Sequence, residues 1–154
     1  MDDVKRILVV SRRTKYCQKA VHYGISISKK YGAELYVVHV IHDPFGDEGW
    51  NLLPAHFLEE DYKRIVQKAK EELDAIINSE KKEGMAIKEL IKEGEPTDEI
   101  LKIIKEEAID LLILLAHEEG RLEHFLFGRS NEKLIRLMPC SILMVKKEPE
   151  YVAY

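Results

Sequence analysis

Arginines gather at two places in this chain where an apolar run gives way to polar residues. Arg12 and Arg13 follow one run, and Arg121 and Arg129 lie beside Gly120 and Gly128 after another. Guanidinium groups grip phosphate and carboxylate bidentately, so four that converged would form an anion pocket. Gly128-Arg129-Ser130 also stands where a helix begins. Such a start offers unpaired backbone N–H groups and the positive end of the helix dipole. The same residues equally suit an ordinary capped helix, with Ser130 as N-cap and no ligand. The arginines have a second reading too, solvated or paired with Glu118, Glu119 and Glu123. Such surface pairs carry little energy.

Other reactive residue types are less well placed. His39 and His42, with Asp43 next, would need a common side to hold a metal. A spacing of i, i+3 on a strand sends side chains to opposite faces. His117 and His124 flank the second arginine region, but no carboxylate or nucleophile stands at a spacing that completes a catalytic set. Trp50 sits among Phe45, Leu52, Leu53 and Phe57. It could cap the core, meet a second subunit or lid a crevice.

Composition narrows the classes. The 154 residues suit one domain spanning 1–154, with a core over 4–146 and a loose tail over 147–154. A net charge of -4 argues against general nucleic-acid binding, which favours a basic face. Cys17 and Cys140 lack metal or redox spacing and read as small apolar residues in a reducing compartment. No apolar run is long enough to span a membrane or form a leader. The expectation is a cytoplasmic protein with no membrane or nucleic-acid partner.

These residues are positioned by alternating elements. RILVVS at 6–11 is a short continuous apolar run, as in strands covered on both faces. Cys17, Ala20, Val21, Gly24, Ile27 and Tyr31 recur at helical spacing, and Gly32 suits a C-cap. ELYVVHVI at 34–41 is a second strand. Residues 42–55 carry Pro44, Gly46, Gly49 and Pro54 and read as a loop. A long amphipathic helix follows from about Phe57 to Asn78. AIKELIK at 86–92 is a third strand, polar enough for a sheet edge. Pro96 starts the next helix, with acids in its first turn. Residues 111–116 form a wholly apolar strand. The last helix starts near Gly128 to Ser130, runs through Leu134 and Leu137, and ends before Pro139. CSILMV at 140–145 is the fifth strand.

Strand-helix alternation predicts an α/β fold: an open, doubly wound, parallel five-stranded sheet with helices on both faces. With the first strand central, strand order reverses between strands one and four. Ligands in such sheets bind beyond the carboxyl ends of the strands at that reversal. The segments there are 11–14 and 116–130, which carry the arginines.

The start RILVVSR, the passage KKYGAELYVVHVI, the turn EGEPTDEIL, the strand DLLILLA and the end GRSNEKLIRLMPCSILMVKK together resemble the universal stress protein family, over roughly residues 4–146. The resemblance implies sheet order 3-2-1-4-5 and dimerisation, often through the last strands. It also implies, for many members, bound ATP held by Gly-x2-Gly-x9-Gly-(Ser/Thr) after strand four, an Asp after strand one and a Val ending strand two. Val40 matches that Val. Gly120 with Arg121, and Gly128, match the second and third glycines. The Asp position holds Arg12, whose guanidinium only donates hydrogen bonds. Ala116 replaces the first glycine, the spacing becomes Ala116-x3-Gly120-x7-Gly128, and Ser130 stands one step late behind Arg129. Glu118 and Glu119 would repel phosphates. Val10, Ser11 and Leu115 complete the expected nucleotide or anion site, which contains no metal ligand.

The fifth strand, Ser141-Ile142-Leu143-Met144-Val145, would be an apolar sheet edge. Pairing with its own copy about a two-fold axis removes both edges at once, and a covering tail could serve instead. Three functions follow as expectations. The first is a dimeric regulatory or interaction module with weak or absent ATP binding and unidentified protein partners. The second is an ATP- or AMP-binding module with a remodelled 116–130 loop, using Mg if the ligand is ATP. The third, less favoured, is a slow nucleotide-hydrolysing enzyme.

Overall fold

In the computed structural model, residues 3–11, 17–41, 55–80, 85–116 and 129–146 are described, with the side chains of 17, 55–58, 79–80 and 129–130 excepted. Their order is β1 (Arg6–Ser11), α1 (Cys17–Tyr31), β2 (Glu34–Ile41), α2 (Ala55–Glu80), β3 (Ile87–Glu93), α3 (Pro96–Glu106), β4 (Leu111–Leu115), α4 (Arg129–Leu137) and β5 (Ser141–Val145). The sheet is parallel, in the order β3-β2-β1-β4-β5.

Side-chain alternation divides the core between the two faces. Ile7, Val9, Leu35, Val37, Ile113 and Leu115 pack with Val21 and Ile25 of α1 and Leu73 and Ile77 of α2. Leu8, Val10, Tyr36, Val38, Leu112 and Leu114 pack with Ile100, Ile103 and Ile104 of α3 and Leu134 of α4. Both faces are therefore covered, which is why the central strands are apolar without interruption. The edges differ. β3 carries Lys88, Glu89, Lys92 and Glu93, whereas β5 is SILMV.

Several local signals act as read. Gly32 adopts φ 66° just after α1, a conformation open to glycine at little cost, and the Ala33 N–H reaches back to the Ser28 carbonyl at 3.0 Å. Pro96 opens α3, and the Glu95 carboxylate caps it by accepting the Asp98 N–H at 2.9 Å. Some boundaries shift. α2 begins at Ala55, so the expected loop loses its last residue. β3 runs over 87–93, β4 stops at Leu115, and β5 starts at Ser141. The remainder of the 42–55 loop, with Trp50, and the 147–154 tail lie outside the described residues.

Candidate functional site

The carboxyl ends of the strands are where the sheet changes character. β1 and β2 stay paired to the last residue of β1, Ser11 opposite His39. β4 and β5 stay paired to Leu115 opposite Val145, and the Ala116 N–H continues that ladder to the Val145 carbonyl at 2.7 Å. Between β1 and β4, pairing covers Ile7–Val9 against Leu111–Ile113 and ends there. Both strands run on for two more residues, Val10–Ser11 and Leu114–Leu115. A parting opens at the point of strand-order reversal, where sheets of this kind take ligands.

The parting leaves backbone groups to satisfy. Alternation along a parallel strand sends successive residues' N–H and C=O to opposite neighbours. Because Ala116 faces β5, Leu115 presents its carbonyl to the β1 side. Among the described residues no β1 bridge is formed there. Instead Asn131, in the first turn of α4 and only 6% exposed, donates its Nδ2–H to that oxygen at 3.1 Å. The bond fastens the start of α4 to the rim of the parting, and with it the first-turn backbone N–H groups of the helix. On the other side of β1, buried His39 places Nδ1 3.2 Å from the Ser11 carbonyl, to which it donates in the Nδ1-protonated tautomer. That contact holds the end of β1 against β2. The start of α3 is tied to the same rim through the Gly94 N–H and the Ile41 carbonyl, 3.1 Å apart.

Val10, Ser11, Leu115 and Ala116 thus flank the parting. Val40 lies one strand over, half-buried on the α3–α4 face with Val10. Arg129 and Ser130 stand in the first turn of the anchored helix. Arg12, Gly120, Arg121 and Gly128 lie outside the described residues, as do Arg13, His42, His117, His124 and the glutamates of the 116–130 segment. Asn131 and His39 are the site features that sequence reading missed or assigned elsewhere. An Asn at a helix start reads as one more polar cap residue, and only the topology shows that a carbonyl waits for it.

Chemically, the described rim offers apolar walls and backbone donors. Its described charges include acids at the α3 start, Glu95, Asp98 and Glu99. Lys133 reaches Asp98 at 3.8 Å, an exposed pair of little energetic weight. Among the described residues no cluster of His, Cys, Asp or Glu could hold a metal ion. Cys140 is half-buried, and burial pushes its thiol above the ordinary value, away from nucleophilic use. No described helix is long and apolar enough to cross a membrane.

A parallel 3-2-1-4-5 sheet that parts between β1 and β4 defines a Rossmann-like α/β protein with its crevice at the switch point. Within that class, the model of the universal stress protein family matches residues 3–146, and the chain belongs to this family. Universal stress protein MJ0531 of Methanocaldococcus jannaschii is 26% identical over 148 residues, covering 93% of this chain and 82% of the relative. The solved structure of MJ0577, from the same organism, superposes with a TM-score of 0.75 at 24% identity, covering 96% of this chain and 99% of that one. A universal stress protein of Archaeoglobus fulgidus, solved in complex with dAMP, gives a TM-score of 0.56 at 19% identity, covering 95% and 100%. That relative therefore binds a nucleotide.

Proposed function

We propose that this chain is a homodimeric, non-catalytic regulatory module of the stress response that keeps the family crevice and binds ATP weakly or not at all. Its output is an interaction with partner proteins. The observation that carries the reading is the sequence of the two segments that follow β1 and β4. Arg12 stands where ATP-binding members have Asp, Ala116 stands for the first glycine, and Glu118 and Glu119 enter the phosphate loop. An adenine or ribose that asks for an acceptor meets a donor. A triphosphate meets like charge. The acids at the start of α3 add negative charge to the same rim.

A second reading is favoured by the anchored start of α4 and by Val40. In it the crevice takes a less charged adenine nucleotide such as AMP, as the Archaeoglobus fulgidus relative takes dAMP. Catalysis is the least favoured reading, because Arg12 stands at the Asp position from which a metal carboxylate would come.

Calorimetric titration with Mg-ATP, AMP and inorganic phosphate tests these readings. The first predicts no saturable heat for Mg-ATP in the micromolar range, where binding is worth about 8 kcal/mol. Saturable AMP binding, lost in Arg129→Ala, would instead establish the second. A metal-dependent release of phosphate from ATP would overturn both.

A further inference from the structure

α1 ends at the amino end of the sheet, opposite the β1–β4 parting. There Ala33 and Glu34 lead into β2, and the Glu34 N–H bonds the Lys5 carbonyl at 2.8 Å. The helix, CQKAVHYGISISKKY, holds lysines at 19, 29 and 30 and no acid, in a chain whose net charge is -4. Ala20, Val21, Ile25 and Ser28 are buried. By helical period the opposite side carries Lys19, Tyr23, Ser26 and Lys30. Tyr23 is 42% exposed and Tyr31 60%. Among the described residues no ion pair answers Lys29 or Lys30. Lysines in a last turn complement the helix dipole. The dipole does not explain the exposed tyrosines, nor the hollow beside them.

That hollow is an open groove of about 490 Å³, lined by Lys29, Gly32, Ala33, Glu34, Met85 and Ala86 among others. A Cβ built on Gly32 would meet nothing within 4 Å, so the turn leaves room above its backbone. Met85 is half-buried and flexible, an apolar wall that adapts to what it meets. Glu34 already accepts from Lys88 Nζ at 3.0 Å. The unanswered charge of the lining is Lys29.

We propose that the end of α1 and this groove dock an acidic segment of a partner protein. An apolar side chain of the partner enters the groove over Gly32 and Met85, and its carboxylates meet Lys29 and Lys30. This deepens the proposed function, whose output is a protein interaction, and rests on that part of it. Tyrosine is a common anchor in such interfaces, and Tyr31 stands beside the two lysines. A nucleic-acid strand would follow a longer basic track. α2, packed beside α1, breaks such a track with Glu71, Glu72 and Asp74.

The probe is a fluorescein-labelled peptide of glutamates around a central phenylalanine, titrated into the full chain. Anisotropy gives affinity, and amide chemical shifts give the location. Three variants stand beside the wild type. Lys29→Gln with Lys30→Gln removes the charges. Ala86→Trp fills the groove. Lys63→Gln alters an exposed α2 lysine paired with Glu59. The peptide should bind in a salt-sensitive way and shift the amides of 29–33 and 85–86 most. It should bind several-fold more weakly to the first two variants and unchanged to the third. The shift map uses the wild type alone, so it decides even where a variant is unstable. No binding at low salt, or shifts centred on the carboxyl ends of the strands, would overturn the proposal. So would loss in the lysine variant without loss in Ala86→Trp, which would mark unspecific charge attraction. An oligothymidylate bound more tightly than the peptide would assign the face to nucleic acid and overturn it too. Saturable Mg-ATP heat would sink the loss of ATP binding at the other end of the sheet and leave this docking in place.

Discussion

Asn131, at the start of α4, donates its Nδ2–H to the carbonyl of Leu115, 3.1 Å away, beyond the last described bridge between β1 and β4. One side chain thereby satisfies a backbone carbonyl at the rim and fixes the start of α4 beside the opening. Asn131→Ala should destabilise the fold by about 1–3 kcal/mol, the cost of stranding a buried polar group. Asn131→Asp should fare no better. The favourable placement of an acid at a helix start, about 0.3–1 kcal/mol, does not replace a lost donor facing a carbonyl. Urea midpoints of the three proteins measure this. An Asp variant as stable as wild type would show that the bond is dispensable.

Gly24 sits where α1 crosses β1. A Cβ there would lie 2.5 Å from Val9 Cγ2 and 3.1 Å from Leu35 Cδ1, and valine has little rotamer freedom to withdraw. Overpacking costs about 1–3 kcal/mol, more than the helix propensity of up to about 1 kcal/mol that alanine returns. Gly24→Ala should lower Tm by several degrees in a thermal melt. An unchanged or higher Tm would mean that α1 can shift outward freely.

The end of α4 offers the opposite case. Met138 adopts φ 43° directly after the helix, its N–H bonded to the Leu134 carbonyl at 3.0 Å, and its side chain is 59% exposed. The left-handed conformation costs a residue with a Cβ about 1–2 kcal/mol, against about 0.5–1 kcal/mol of extra chain entropy for glycine. Met138→Gly should therefore raise the urea midpoint slightly. A clear fall would assign the Met138 side chain a packing role that its exposure does not show.

A polar cluster at the other end of the sheet sets one pH dependence. Glu34 accepts from Lys88 Nζ at 3.0 Å and from the Tyr36 hydroxyl at 3.1 Å. That hydroxyl also lies 3.1 Å from Glu107. The Lys88 hydrogen bond first, and Tyr36 second, hold the Glu34 carboxyl below its ordinary 4.5. A carboxyl depressed in the folded state stabilises it above the unfolded value and loses that contribution as pH falls through the folded value. Stability should decline on acidification below about pH 4.5, and Glu34→Gln should flatten that limb of the curve. The mutant and wild-type curves running parallel below pH 5 would contradict the assignment. Lys88, raised by the same pair, loses its share only as pH climbs past 10.5.

Much of this architecture was legible because each signal was local. Apolar runs at 6–11 and 111–115 can only be strands covered on both faces, and the contrast between IKELIK and SILMV distinguishes the two edges. What escaped reading was set at a distance. The role of Asn131 depends on a carbonyl sixteen residues earlier, on the rim where the described β1–β4 pairing ends. The His39 contact joins two strands twenty-eight residues apart. The turn at Met138 carries no glycine to announce it, and the bond from its N–H to the Leu134 carbonyl closes the helix there. The motif around 116–130 was legible as a departure from the family pattern, and that departure underlies the proposed loss of ATP affinity.

In the proposed function the crevice persists while its grip on ATP is lost through particular residues. Its most direct test is Mg-ATP titration of the wild-type chain beside the double variant Arg12→Asp, Ala116→Gly, which restores two family positions. The wild type should give no saturable heat in the micromolar range and the variant measurable binding. Saturable micromolar binding by the wild type, unchanged in the variant, would contradict it.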